Sequence, residues 1–206
     1  FDGNVYVFDG AAKDLPGFPV RVDYTGPLEK EKRVSRIVTT PAVGDMNGDG
    51  IPEIAVGSNE YLGNGGNIGA FFLIDGRGNK APDGKPYVDG WPVAVSSFKL
   101  FPLVGEGIVS AGMMADVNGD GVPEVIFHGT GGSPVVLPLH PQKPAVVGGS
   151  FPNSVLTLDP QFGDNYDFDN GLGGNNFIGV FSQPSVGDLN QDGKPDVIAV
   201  GASFWL

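Results

Sequence analysis

Residues 41–58 read PAVGDMNGDGIPEIAVGS, and two later stretches repeat them: AGMMADVNGDGVPEVIFHG from Ala111 and PSVGDLNQDGKPDVIAVGAS from Pro184. The first aspartates of the three copies, Asp45, Asp116 and Asp188, stand 71 and 72 residues apart. Self-similarity at a fixed period marks one supersecondary unit used repeatedly. A second motif interleaves with the first. GNVYVFDG at Gly3 answers GNIGAFFLIDG at Gly66, and PGFPV at Pro16 answers DGWPV at Asp89, with GSFPN at Gly149 as a degraded third copy.

Within a unit the apolar runs are four to eight residues long and bounded by Gly, Pro, Asn and Asp, the mark of strands. The spacing predicts strands at 37–44, 53–58, 69–75 and 91–95, with the acidic stretch as the turn between the first two. Four short antiparallel strands in a unit of about 70 residues describe one propeller blade. The expected fold class is therefore all-β, a β-propeller of four-stranded antiparallel blades. The repeat phase divides the chain into a half blade at 1–36, blades at 37–107 and 108–176, and a half blade at 177–206. That is about three blade equivalents, fewer than the usual four to eight, so a segment of a larger ring is expected, part of a longer chain or assembly. A smaller, non-closing β-array is the alternative; a sandwich does not need so regular a period.

Composition agrees. The 206 residues include 34 Gly and 18 Pro, about a quarter of the chain, which disfavours a long-helix bundle, a coiled coil and a Rossmann-type βαβ series because both types break helices. With 40% hydrophobic and 10% aromatic residues the chain can still form a core. Its net charge of −12 repels nucleic acid and anionic membranes and favours cations. The absence of Cys removes disulfides and thiolate chemistry. No apolar run approaches the ~20 residues of a membrane span. The chain starts at Phe1 without a basic, apolar leader, so any targeting signal is expected to have been removed or to lie outside it.

Each acidic loop reads D-x-N-x-D-G-x-P-[DE]. Oxygen donors fall at positions 1, 3, 5 and 9: Asp45, Asn47, Asp49 and Glu53; Asp116, Asn118, Asp120 and Glu124; Asp188, Asn190, Asp192 and Asp196. Position 7 (Ile51, Val122, Lys194) can add a backbone carbonyl. Alternating oxygens followed by a Gly that lets the chain curl suit a hard cation wanting six to eight oxygens, so about three Ca²⁺ ions are expected, one per loop. Zinc and copper would lack His or Cys ligands. An EF-hand is excluded, because its acid at position 12 would fall on Val56, Phe127 or Ala199 and the flanks are not helical. Asn-Gly-Asp-Gly is also ordinary turn chemistry; that explains one copy, but not three copies keeping carboxylates at positions 1, 5 and 9. Nine of the 24 acids lie in these loops, and three divalent ions would halve the net charge.

The pattern VGDxNGDGxPEIAVG, followed by a Gly-rich strand ending in Asp-Gly, resembles the FG-GAP or VCBS repeat of integrin-α-type β-propellers across nearly the whole chain. The resemblance implies calcium held in loops between the first two strands of successive blades, in proteins that are mostly exported: extracellular, at the cell surface or periplasmic. Millimolar extracellular calcium would fill even weak sites of ~10⁻⁴ to 10⁻³ M. Three features depart from the pattern. Gln191 replaces Gly, Lys194 stands where the other loops have Ile or Val, and the strand at 133–139 lacks its Asp-Gly ending. GNVYVFDG is also similar to a quinoprotein propeller strand, but the tryptophan-docking pattern of those proteins is missing.

Two functions follow. In the first, the propeller is a binding, adhesion or assembly scaffold for protein or carbohydrate, with recognition in variable loops. Residues 26–36, with Glu29, Lys30, Glu31, Lys32, Arg33 and Arg36, read as a solvated connection, with a docking patch as the alternative. Asp164, Tyr166, Asp167, Phe168 and Asp169 combine carboxylates with aromatics in a manner suited to sugar or cation binding, with a flexible loop as the competing reading. In the second, the chain belongs to a secreted polysaccharide lyase or hydrolase. No catalytic residue is assigned, because His128 and His140 read as structural, no G-x-S-x-G elbow occurs, and GNGGNIG from Gly63 lacks the helix a phosphate loop requires.

Overall fold

A computed structural model of the chain describes residues 2–22, 33–37, 39–62, 67–98, 110–127, 135–143, 177–179, 183–198 and 201–203. Among them the fold is all-β apart from one 3-10 turn at Gly78–Lys80. The strands are β1 (Asn4–Val5), β2 (Val20–Arg21), β3 (Arg33–Ile37), β4 (Ala42–Gly44), β5 (Glu53–Leu62), β6 (Asn67–Ile74), β7 (Val93–Phe98), β8 (Met113–Ala115), β9 (Glu124–Phe127), β10 (Val135–Leu137), β11 (Phe177–Gly179), β12 (Ser185–Gly187), β13 (Asp196–Ile198) and β14 (Gly201–Ser203). All pairings are antiparallel.

The most complete sheet runs β3-β5-β6-β7, with β4 also on β5. β3 and β4 pair with the two halves of β5 (Ile37 with Ser58, Ala42 with Ala55), so they form one bent first strand of a four-stranded meander, the architecture of a propeller blade. The bend falls where Pro41 has no N–H to give to a ladder. Thr39 spans it: its buried hydroxyl accepts from the Gly57 N–H at 2.9 Å and donates to the Gly57 carbonyl at 3.3 Å. The first strand thus begins at Arg33, four residues before the expected start, and β5 reaches Leu62 rather than Ser58. Arg33 and Arg36, read from sequence as part of a solvated connection, lie in paired strand instead, while Glu29, Lys30, Glu31 and Lys32 of that stretch lie outside the described residues. Charge outweighed β-branched Val34 in that reading.

The other sheets are β10-β9-β8, β12-β13, β11-β14 and β1-β2, and no closed ring forms among the described residues. The core lies between sheets and follows the period-2 alternation of strand side chains. Ile54, Val56, Ala70, Phe72 and Ile74 pack on Val20 and Val22 of the first sheet. Their neighbours Ala55, Phe71, Leu73 and Val93 point the other way, against Val125, Phe127 and Leu137. Ile126 and Val136 then turn to Val186 and Val197. Phe71 stacks on Phe127 with ring centroids 4.2 Å apart, and the Trp91 indole N–H donates to the Leu139 carbonyl at 2.8 Å. Burying each such ring contributes about 1.5–3 kcal/mol. Residues 63–66, His128, 144–176 and 204–206, and with them the Asp164 to Asp169 group and the GSFPN copy, lie outside the described residues.

Candidate metal-binding loops

The three acidic loops join the first strand of a sheet to the second: β4 to β5, β8 to β9 and β12 to β13. One hydrogen-bond scheme builds all of them. The position-1 carboxylate gathers the loop's amides. Asp45 accepts from Gly48 N at 2.8 Å and Gly50 N at 2.9 Å, Asp116 from Gly119 N at 2.7 Å and Gly121 N at 2.8 Å, and Asp188 from Asp192 N at 3.0 Å and Gly193 N at 2.9 Å. The position-3 amide oxygen takes the next-but-one N–H (Asp49, Asp120, Asp192), and the position-5 carboxylate does the same (Ile51, Val122, Lys194). Such Asx turns are what Asp and Asn offer a tight loop. The position-9 acid reaches back to the position-2 N–H: Glu53 to Met46 at 2.8 Å, Glu124 to Val117 at 2.9 Å, Asp196 to Leu189 at 2.9 Å.

The Gly at position 6 takes φ of 81°, 88° and 87° in the three loops, a left-handed geometry that disfavours other residues. Position 4 is left-handed as well, at 73° in Gly48 and 79° in Gly119. Gln191 adopts φ 62° there, so the third loop keeps its shape at a conformational cost.

Glu53 and Glu124 are buried. Burial pushes both carboxyls above their ordinary range, against the hydrogen bonds from Met46 and Val117, and repulsion from the position-1 and position-5 aspartates adds to the rise. The first two loops thus concentrate negative charge around a buried acid. Among the described residues no three acidic or imidazole side chains close on a common point; the carboxylates are turned onto the loop's own amides. Carboxylate, amide and backbone oxygens nonetheless form the donor set of a hard cation, and nitrogen and sulfur donors are absent from it. By that chemistry the residues present fit calcium.

Two further groups flank the first loop. Arg77 contacts Asp49 Oδ2 at 2.8 Å and Asp75 Oδ2 at 2.7 Å, and its guanidinium hydrogen bond holds the Asp75 carboxyl below the ordinary range. Sequence reading noted the Asp-Gly ending at Asp75 but passed over Arg77; a base two residues after that Asp, in the Gly-rich turn DGRGNK, was the available signal. A neighbouring cleft of about 280 Å³ is lined by Asn47, Asp75, Asp83, Lys85, Tyr87 and His140, among others. His140 Nδ1 lies 3.1 Å from the Asp89 carbonyl and the Tyr87 hydroxyl donates to the Arg21 carbonyl at 2.6 Å, so both tie neighbouring segments together. From the third loop, Lys194 reaches the second, its Cε 3.7 Å from the position a Cβ would take on Gly119.

The family model of the FG-GAP repeat matches residues 38–72 and 180–205. These spans contain the first and third loops with their flanking strands. Comparison with curated proteins and with solved structures gives no match.

Proposed function

We propose, because the FG-GAP repeat model matches the two stretches that hold the first and third loops, that the chain is a calcium-stabilised β-propeller segment serving outside the cytoplasm as a binding or assembly scaffold. The observation that carries this reading is the threefold recurrence of one all-oxygen loop. Asp45, Asn47, Asp49 and Glu53, Asp116, Asn118, Asp120 and Glu124, and Asp188, Asn190, Asp192 and Asp196 would hold the ions, with the carbonyls of Ile51, Val122 and Lys194 as additional donors. A bound cation would neutralise carboxylates whose mutual repulsion opposes folding, and would tie the first two strands of each blade together. The chain's own contribution is to pre-form the loop backbone through the Asx scheme, so that binding asks mainly for the carboxylates to turn from the loop's amides to the ion.

Thermal melting in calcium and in chelator tests the metal. A site filled at a hundredfold excess over its Kd adds about 2.7 kcal/mol, so the Tm is expected to rise by more than about 5 °C; an unchanged Tm overturns the claim. Protein or glycan recognition belongs to the loops and to the cleft beside Asp75 and Tyr87. A glycan array paired with a polysaccharide-degradation assay separates a lectin-like scaffold from a lyase or hydrolase, and product formation would overturn the scaffold reading.

A further inference from the structure

The three loops share a backbone scheme but differ in what holds the position-5 carboxylate. In the second loop Asp120 Oδ2 accepts from the Asn118 side-chain amide at 3.0 Å, and in the third Asp192 Oδ2 accepts from Asn190 at 3.1 Å. In the first loop the corresponding oxygen, Asp49 Oδ2, is held by the Arg77 guanidinium at 2.8 Å, while Asn47 gives its amide to Glu53 at 2.9 Å, a bond that Asn118 also makes to Glu124. Arg77 is itself fixed from below. Its Nε and Nη2 grip the two Asp75 oxygens at 2.8 and 2.7 Å and its backbone N–H donates to Asp75 Oδ1 at 2.8 Å, a two-pronged pairing suited to the guanidinium fork. The turn after β6 supplies both groups, with the Gly78 N–H donating to the Asp75 carbonyl at 2.7 Å.

Strand register locates the corresponding positions in the second sheet. Ile54 pairs with Ile74 and Val125 with Leu137, so Asp75 and Arg77 correspond to Pro138 and His140, and the second loop lacks both the acid and the guanidinium. We propose that Arg77 is a resident counter-ion of the first loop that competes with a divalent cation for Asp49 and lowers that loop's calcium affinity. This rests on the calcium reading above. Both Asp49 oxygens are already engaged, Oδ1 by the Ile51 N–H and Oδ2 by Arg77, so an incoming cation must share or displace the guanidinium. Arg77 and Asp75 neutralise one another, so the pair leaves the formal charge around the first loop unchanged. What the pair alters is the hold on Asp49.

The double variant Asp75→Asn, Arg77→Gln removes that hold while conserving net charge. Site-resolved calcium titration of the whole chain by amide spectroscopy, with the Gly50, Gly121 and Gly193 N–H signals reporting the three loops separately, reads the effect. The Gly50 midpoint is expected to fall by about three- to tenfold, the range set by one exposed charged contact, while Gly121 and Gly193 keep their midpoints and certify the fold. The single variant Asp75→Asn, which leaves Arg77 to Asp49 alone, is expected to raise the Gly50 midpoint. If Gly50 titrates identically in parent and double variant while Gly121 still responds, the counter-ion role is overturned and calcium binding stands. If no loop responds up to millimolar calcium, the calcium reading falls and this inference with it.

Discussion

The first and third loops carry almost the same internal bonds in opposite surroundings. In the first, position 2 is Met46, 1% exposed and packed with Phe71 and Trp91, and position 9 is Glu53, fully buried. In the third, position 2 is Leu189, 69% exposed, and position 9 is the half-buried Asp196. Both position-9 acids still reach the position-2 N–H, at 2.8 and 2.9 Å. The shape of the loop is therefore a local property of its Asp, Asn and Gly spacing. What that shape is worth depends on the sheet that covers it.

The largest effect that sharpens this contrast comes from the side chain at position 2. Met46→Ala is expected to cost about 2–5 kcal/mol, whereas Leu189→Ala stays within about 0.5 kcal/mol, as read by denaturant or thermal unfolding. Equal losses would mean that the loops share one environment. A smaller gap separates the position-9 acids in chelator. Glu53→Ala strands the buried Met46 N–H and is expected to cost about 1–3 kcal/mol, while Asp196→Ala exposes its partner to water and costs less than about 1 kcal/mol. The smallest effect has the opposite sign: Gln191→Gly relieves the left-handed strain at φ 62° and is expected to stabilise by up to about 1 kcal/mol. A loss there would show that the Gln191 side chain makes a contact that outweighs its strain.

Much of the architecture was legible because the repeat carried it. The 71- and 72-residue spacing of Asp45, Asp116 and Asp188 signalled repeated sheets, and the D-x-N-x-D-G pattern placed all three hairpin turns between first and second strands. Strand ends were not legible at Arg33, where charged neighbours masked a ladder continued across the Pro41 break by Thr39. The burial difference between Met46 and Leu189 was also hidden, since both are apolar at the same motif position and only the neighbouring sheet separates them. Arg77 escaped for a related reason: it lies 28 residues from Asp49 in sequence, and the β5-β6 register brings them together. The Asp164 to Asp169 group lies outside the described residues and keeps its two readings.

The alternation along β5, β6 and β9 constrains how such a chain can change over evolutionary time. Successive residues there serve different partners, so inserting or deleting a single residue would exchange the two seams and send Phe71 toward the side now filled by Phe72. A change of length in these ribbons would therefore need a compensating irregularity, such as the register shift between Gly69 and Ala70 where β6 pairs with β7, whereas substitution within a seam would not.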